Sequence, residues 1–433
     1  MSPTRLPPLN GFRPHPVPPT RALPSNPPGK LSRPLRLSLV LTLVGILSAG
    51  CGGGADSVSD PFAGTPWTLD GPEVRIGSLD DPDYVFGPVT GLVEGPDGGL
   101  HSMHWGEAEI RRWSPEGAPA GSVGREGEGP GEFQAVAGLG FFGDSLWVWD
   151  RRGYRVSYFD KDGNFLGSVS PRVEIGTMEE SPPRPSSPLR DGTFLGVSPG
   201  WSHGIATGTL TEAPYALLDS DGQRLATIWS RAYLPRDVFA ILADDGVGGS
   251  FSSQPFGDDS RTAVGERGLL VLERRVWTGT GEPTVQVSRI DFNGDTLFTA
   301  AIPYEPVPLQ GERFDSVLAT LTESWTGRSG PFSASAADVR EALYRPQYLP
   351  AVNAIMEAGD GTIWLRRFDP IVSESGEPTT EWWVLDPDGA PLARALTPSG
   401  LSVRAISQDA VWGVERDELD VEYIVRYRLM KGD

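Results

Sequence analysis

A turn-and-strand pattern returns six times along this chain, and few architectures accept such a unit. A Gly-containing turn launches a short apolar strand, a second strand follows, and another Gly turn leads out of it. The pattern is plainest at 97–100 with 110–117, and at 143–150 with 154–164. It returns at 191–197 with 215–222, 265–272 with 285–294 and 360–365 with 382–389, then more weakly at 408–414 with 423–429. Each copy supplies three or four strands, too few to bury a core alone. Stacked radially, units of roughly 40–50 residues become propeller blades that cover one another's faces. The apolar segment after each first turn is expected to be the inner strand.

The starts near 97, 143, 191, 265, 360 and 408 leave two long intervals. Residues 230–250 are mixed, with a helical turn expected around Val238–Leu242. Residues 309–350 read as helical: Phe314, Val317, Leu318 and Leu321 form an i, i+3, i+4, i+7 stripe. Ser335 is placed to cap a second helix through Asp338, Val339, Ala342 and Leu343, which Pro346 stops. The expectation is an all-β, six-bladed β-propeller with short helical insertions at 230–250 and 309–350; seven blades is the competing count. Residues Trp67–Gly77 have no blade of their own. Pairing them beside 401–430 would close the last blade and protect its edge.

Composition agrees. With 54 Gly and 41 Pro in 433 residues and no G-X-Y period, the chain is turn-rich and not collagenous. Thirteen Trp and 38% hydrophobic residues supply a core. A net charge of −20 is the wrong sign for gripping a phosphate backbone, so no nucleic-acid partner is expected.

Cys51 is the only cysteine, which excludes an intramolecular disulfide framework. Before it come Arg33, Arg36, the apolar run 37–47 and small residues, the three regions of a secretory signal peptide. The run is short of the roughly 20 residues that span a bilayer. Leu47-Ser48-Ala49-Gly50-Cys51 resembles a bacterial lipobox, although Ser48 stands where a larger aliphatic residue is usual. That resemblance implies acylation of Cys51, a lipid bilayer as partner, and, with Gly52 next, the outer membrane of a Gram-negative cell. The domain plan is 1–50 signal peptide, 51–66 flexible tether, and 67–433 propeller.

Gly124-Arg125-Glu126-Gly127-Glu128-Gly129-Pro130-Gly131-Glu132-Phe133 resembles the connector of six-bladed β-propeller lipoproteins related to the NHL-repeat group. Residues 139–163 and 348–352 are similar to further segments of that family. The resemblance implies fold and export and says little of activity. Read for itself, the connector is a tight blade junction in which Arg125, Glu126, Glu128 and Glu132 could pair. Without G-K-[ST] it is no phosphate loop.

Chemistry is sparse. His101 and His104 form H-x-x-H, but three residues apart on a strand they face opposite ways, so no metal site is expected of them. His104 remains a weak catalytic candidate, as does Asp150, which closes its strand and should sit near an end of the channel. Arg367 and Glu415 occupy similar places, and such a ring could bind a polar ligand or a divalent cation; blade-to-blade ion pairs are the plainer reading. No other cofactor is expected. Trp147, Trp364, Trp383 and Trp412 fall in strands and read as core, whereas Trp105, Trp201, Trp229 and Trp325 lie nearer strand ends or insertions. Phe314, Trp325, Phe332, Tyr344 and Tyr348 make either a partner surface or a satellite core. Two functions stay open: a module binding a glycan, peptide or envelope protein, and a propeller hydrolase or lyase using channel carboxylates.

Overall fold

A computed structural model describes residues 60–432 apart from 63, 174–181, 201, 243–248, 274, 327–333, 370, 373–375 and 377. Cys51, Trp201 and Phe332 therefore lie outside the described residues. Within them, six antiparallel sheets follow one another, five of four strands and one of five. Blade 1 is Val89–Glu94, Leu100–His104, Ile110–Trp113 and Pro119–Val123. Blades 2 to 5 occupy 136–169, 184–232, 261–303 and 352–398. Blade 6 takes Ser402–Ile406, Ala410–Arg416 and Glu422–Met430 from one end of the domain and Thr68–Ile76 from the other. Thr68–Ile76 runs antiparallel to Glu422–Met430, so the expected closure is present.

One expectation is corrected. The apolar strand after each Gly turn is second in its sheet, not innermost. The first strands converge on the axis: Arg261–Gly265 lies by Val352–Glu357, and Val89–Glu94 lies by both Val136–Phe142 and Ser402–Ile406. The second strand reads as continuously apolar because blades cover it on both sides; all of Leu269–Leu272 is buried. The axial strands are poorer in apolar residues, and five of the six carry a β-bulge that breaks their alternation.

Six apolar clusters fill the six seams between neighbouring blades. Turns joining strands 1–2 and 3–4 stay within five residues and share one face, here the turn face. In blades 1 to 5 the 3–4 turn is built alike: a side-chain oxygen of Ser114, Asp160, Asp219, Asp291 or Asp386 accepts the N–H groups two and four residues on. Of the aspartates beside turn glycines, Asp97, Asp191 and Asp360 accept the N–H two residues on in the 1–2 turns, whereas Asp162, Asp221 and Asp388 are not the acceptors of the 3–4 turns.

All long excursions leave from the other face, the insertion face. They carry α1 (Ser202–Thr207), α2 (Gly311–Thr326) and α3 (Ala336–Ala342). Val238–Leu242 is a strand paired with Gly249–Ser253, not a helical turn; Phe239 and Ile241 alternate inward, and the turn is confined to Pro235–Asp237 before it. The stripe on α2 is as expected, and it packs with Phe239, Ile241, Phe256, Val339 and Leu343 as a satellite core. Ser335 caps α3: its hydroxyl accepts the Asp338 N–H at 3.2 Å, and the Asp338 carboxylate accepts the Ser335 N–H at 2.7 Å.

Candidate functional site

Loops and chain excursions raised on a rigid scaffold are where binding residues gather, so the insertion face comes first. At the seam of blades 6 and 1 it carries a groove of about 290 Å³. One wall is the segment entering blade 1, with Leu79, Tyr84, Val85 and Phe86; the other is the strand 2–3 hairpin of blade 6, with Arg416 and Glu422. Both walls are pinned. Glu422 accepts the Val89 N–H at 2.7 Å and an Arg416 N–H at 2.6 Å. Arg111 donates to the Val85 carbonyl at 2.7 Å and to Glu107 at 2.9 Å. Trp105 adjoins the groove wall through its backbone N–H, given to the carbonyl of Pro88 at 2.8 Å. Its side chain is 72% exposed, and Leu79 (61%), Val85 and Leu419 (76%) are open on the same seam.

Phe86 lies 4.7 Å from the ring of His104, which forms the layer beneath the groove. The His104 Nδ1 is 3.1 Å from the Gly87 carbonyl, which can only accept, so Nδ1 carries the proton. Nε2 then accepts from the Ser102 hydroxyl at 2.8 Å, while Trp113 donates its Nε1–H to Ser102 at 2.8 Å. Burial holds the imidazole below its ordinary range, against the Gly87 carbonyl and the charges of Glu107 and Glu422. The pair is neutral at pH 7 and closed in, with Ser102 at 0% and His104 at 2% exposure. His101 faces the opposite way, against Phe141 of blade 2, as the strand spacing requires.

The remaining candidates are scattered. Asp150 ends a second strand on the insertion face, fully buried, and accepts N–H groups from Gln134, Ala135, Arg152 and Gly153 at 3.0–3.1 Å. It fixes the end of the 124–133 connector rather than a channel mouth. Within the connector Arg125 pairs with Glu132 at 2.7 Å and pulls that carboxyl below its usual range. Arg367 lies 4.5 Å over the Trp383 ring beside a cleft of about 10 Å³, room for a single water molecule. Glu415 accepts from Tyr427 at 2.5 Å and pairs with Arg75 at 3.2 Å. Asp150, Arg367 and Glu415 thus have separate partners in separate blades. No group of three or more His, Cys, Asp or Glu able to hold a metal occurs among the described residues.

The aromatic candidates also part company. Trp325 is 4% exposed with its ring against Phe239, because α2 turns its apolar stripe into the satellite core; it offers no surface. Tyr344 is half-buried under Arg236, Tyr348 is half-buried against Trp277, and Trp229 against Tyr215. Trp105 alone of the described aromatic candidates stands open. Sequence reading passed over its companions Leu79, Tyr84, Val85, Phe86 and Leu419; their one signal is apolar content between strands, where polar residues are the rule.

No protein-family model matches this chain, and no curated protein matches it. Solved structures do. A putative exported protein from Bacteroides fragilis is 12% identical over 86% of this chain and 98% of its own, with a TM-score of 0.43. A member of the DUF4221 family from Bacteroides vulgatus is 10% identical over 85% and 98%, with a TM-score of 0.45. A catalytically inactive virginiamycin B lyase from Staphylococcus aureus, solved with quinupristin, is 11% identical over 84% and 99%, with a TM-score of 0.34.

Proposed function

We propose that this chain is a cell-envelope binding module that takes an apolar segment of a peptide or protein partner into the groove between blades 6 and 1. One observation carries the reading: a groove of about 290 Å³ is lined by open Leu79 and Val85, with open Trp105 and Leu419 on the segments adjoining its walls. Buried aromatic anchors dominate binding energy, and contiguous open apolar surface marks binding sites. A glycan is the weaker fit, since sugars need free polar partners. Here Arg416 is engaged by Asp420 and Glu422, and Arg111 by Glu107. Panning a random peptide library on the parent should enrich aromatic and aliphatic sequences. Trp105→Ala should weaken the selected peptides by about thirtyfold, the scale of a 2 kcal/mol anchor. Enrichment that survives Trp105→Ala, or retention of glycans in place of peptides, overturns the assignment.

The envelope location rests on Arg33, Arg36, the apolar run and Cys51. Acylated Cys51 would anchor the domain to a bilayer, in the outer membrane by the Gly52 argument, on a tether ending near residue 66. Intact mass of membrane fractions should show Cys51 bearing acyl chains, and Cys51→Ser should release or leave unprocessed protein. Cytosolic protein that keeps residues 1–50 refutes it.

A hydrolase or lyase is the second reading, favoured by the neutral Ser102–His104 pair beneath the groove. Substrate reaches that pair only if Phe86 swings away. A fluorophosphonate probe should label Ser102 in the parent and not in His104→Gln if the pair is reactive; an unlabelled parent removes this reading.

A further inference from the structure

The six axial strands carry five charged side chains: Glu94, Arg184, Arg261, Glu357 and Arg404. Both glutamates lie at turn-face ends and are engaged. Glu94 accepts the Trp412 indole N–H at 3.1 Å, and Glu357 pairs with buried Arg289 at 3.1 Å. The arginines differ. Arg184 and Arg261 open the axial strands of blades 3 and 4 at the insertion face. Arg404 is the bulge residue of the blade 6 axial strand, and it is exposed. An axial strand packs both faces on neighbouring blades and pairs its outer edge, so an exposed residue on it faces the channel. Thr90, Ala137 and Ser186, also exposed bulge residues, line the same wall and are neutral.

Arg404 thus faces the channel, Arg184 and Arg261 stand at the insertion-face ends of two of its strands, and the glutamates are committed elsewhere, in a chain of net charge −20. Arg404 has neither a hydrogen bond nor an ion pair among the described residues. The Nε atoms of Arg184 and Arg261 are buried without an acceptor, as is that of Arg231, whose Nη2 reaches Thr262 on the blade 4 axial strand at 3.3 Å. Among the described residues one carboxylate pairs with any of the three, Asp259, which lies 3.2 Å from Arg261 and is shared with Arg275 at 3.3 Å. Buried donors almost always find acceptors, and clefts of one sign concentrate ions of the other.

We propose that the insertion-face mouth of the axial channel is a site for a small multivalent oxyanion, held by Arg184, Arg261 and Arg404. Guanidinium forks match carboxylate, phosphoryl and sulfuryl oxygens two at a time. In a ring of six, blades 3 and 6 stand opposite, so Arg184 and Arg404 approach such an ion from two sides. This site is separate from the groove and stands or falls without it.

Calorimetric titration of citrate and of inorganic phosphate into the purified chain, in chloride buffer of matched ionic strength, tests the assignment. Saturable binding of one probe is expected; citrate alone identifies a carboxylate ligand and phosphate alone a phosphoryl group. Arg404→Gln should weaken it by about tenfold through loss of charge-assisted hydrogen bonds, and Arg184→Gln likewise. Arg366→Gln, exposed on a second strand, should leave it unchanged. Because Arg404 is exposed, its variant should fold. No saturable heat for either probe, or an affinity unaltered in Arg404→Gln, overturns the site.

Discussion

Asp150 accepts four backbone N–H groups, and deleting its buried carboxylate leaves all four without that acceptor. A stranded buried donor costs about 1–3 kcal/mol, and part of that is recovered where the loop can open to solvent. We expect Asp150→Ala to lower stability by about 3 kcal/mol, read as a shifted urea midpoint. Asp150→Asn should lose less, since its Oδ1 can still accept from Ala135, Arg152 and Gly153. His101 gives a pH-dependent counterpart. Burial, helped by Arg112 and opposed by Asp97, lowers its imidazole from 6.5 to about 4. Above pH 6.5 neither folded nor unfolded chain holds that proton. As pH falls toward 4 the unfolded chain binds it and the folded chain does not, so stability drops by about 3 kcal/mol in all, and below about 4 the slope ends. Urea midpoints measured between pH 7 and about 4 should fall less steeply in His101→Leu than in the parent. Sequence made both residues conspicuous and left their work hidden. A carboxylate at a strand end looks the same whether it meets a ligand or the next loop's backbone, because that difference is made by residues far along the chain.

Elements were legible in proportion to how local their causes are. The helix α2 declares itself through a 3.6-residue stripe, and α3 through Ser335 and Asp338. Second strands declare themselves because two neighbouring blades make them apolar throughout. Axial strands such as Arg184–Pro188 and Arg261–Gly265 were missed as the inner layer, since small residues and bulges near the axis erase the period that a reader seeks. The connector was legible as a tight blade junction, and its geometry explains its glycine: at Gly124 φ is +77°, and a Cβ would strike the Phe133 ring. The satellite core was legible only as one of two readings of Phe314, Trp325, Phe332, Tyr344 and Tyr348, and the share of Phe239 in it was not, because Phe239 and Trp325 come from different insertions. Trp325→Ala should therefore unfold more than one helix. We expect a loss of about 3–5 kcal/mol, with proteolysis first appearing within 233–260 as well as in 309–350. Replacing 311–345 by a Gly/Ser linker should lower the melting temperature by uncovering Phe239 and Phe256. An unchanged melting temperature would mean that the blades hold the first insertion unaided.

On the scale of the whole molecule, six seams share the core and no sheet is complete without its neighbours. Trp67 extends the closure beyond its own blade: its N–H goes to the Arg394 carbonyl at 2.7 Å, and its carbonyl accepts from Leu396 at 2.9 Å, both in blade 5. The six-fold count and the closing strand were readable from repetition and from the need to protect an edge. The groove was not, since its walls come from residues 78–88 and 416–422, which meet only once the ring has closed. The blade 6 arrangement has a topological consequence. The backbone near Thr65 lies against Gly432, so the domain is a loop of chain with a single nick, and the nick happens to fall inside one sheet. Nothing in the seams depends on where that nick is placed. Joining residue 432 to residue 64 by a short linker, and opening the chain between Gly143 and Asp144 in the blade 2 turn, should give a permutant that folds. Its blade 2 would then be the sheet assembled from both ends, and its urea midpoint should stay near the parent's. A permutant that aggregates would show that blade 6 alone can be closed last, making the order of blades along the chain a folding instruction as well as a genetic one.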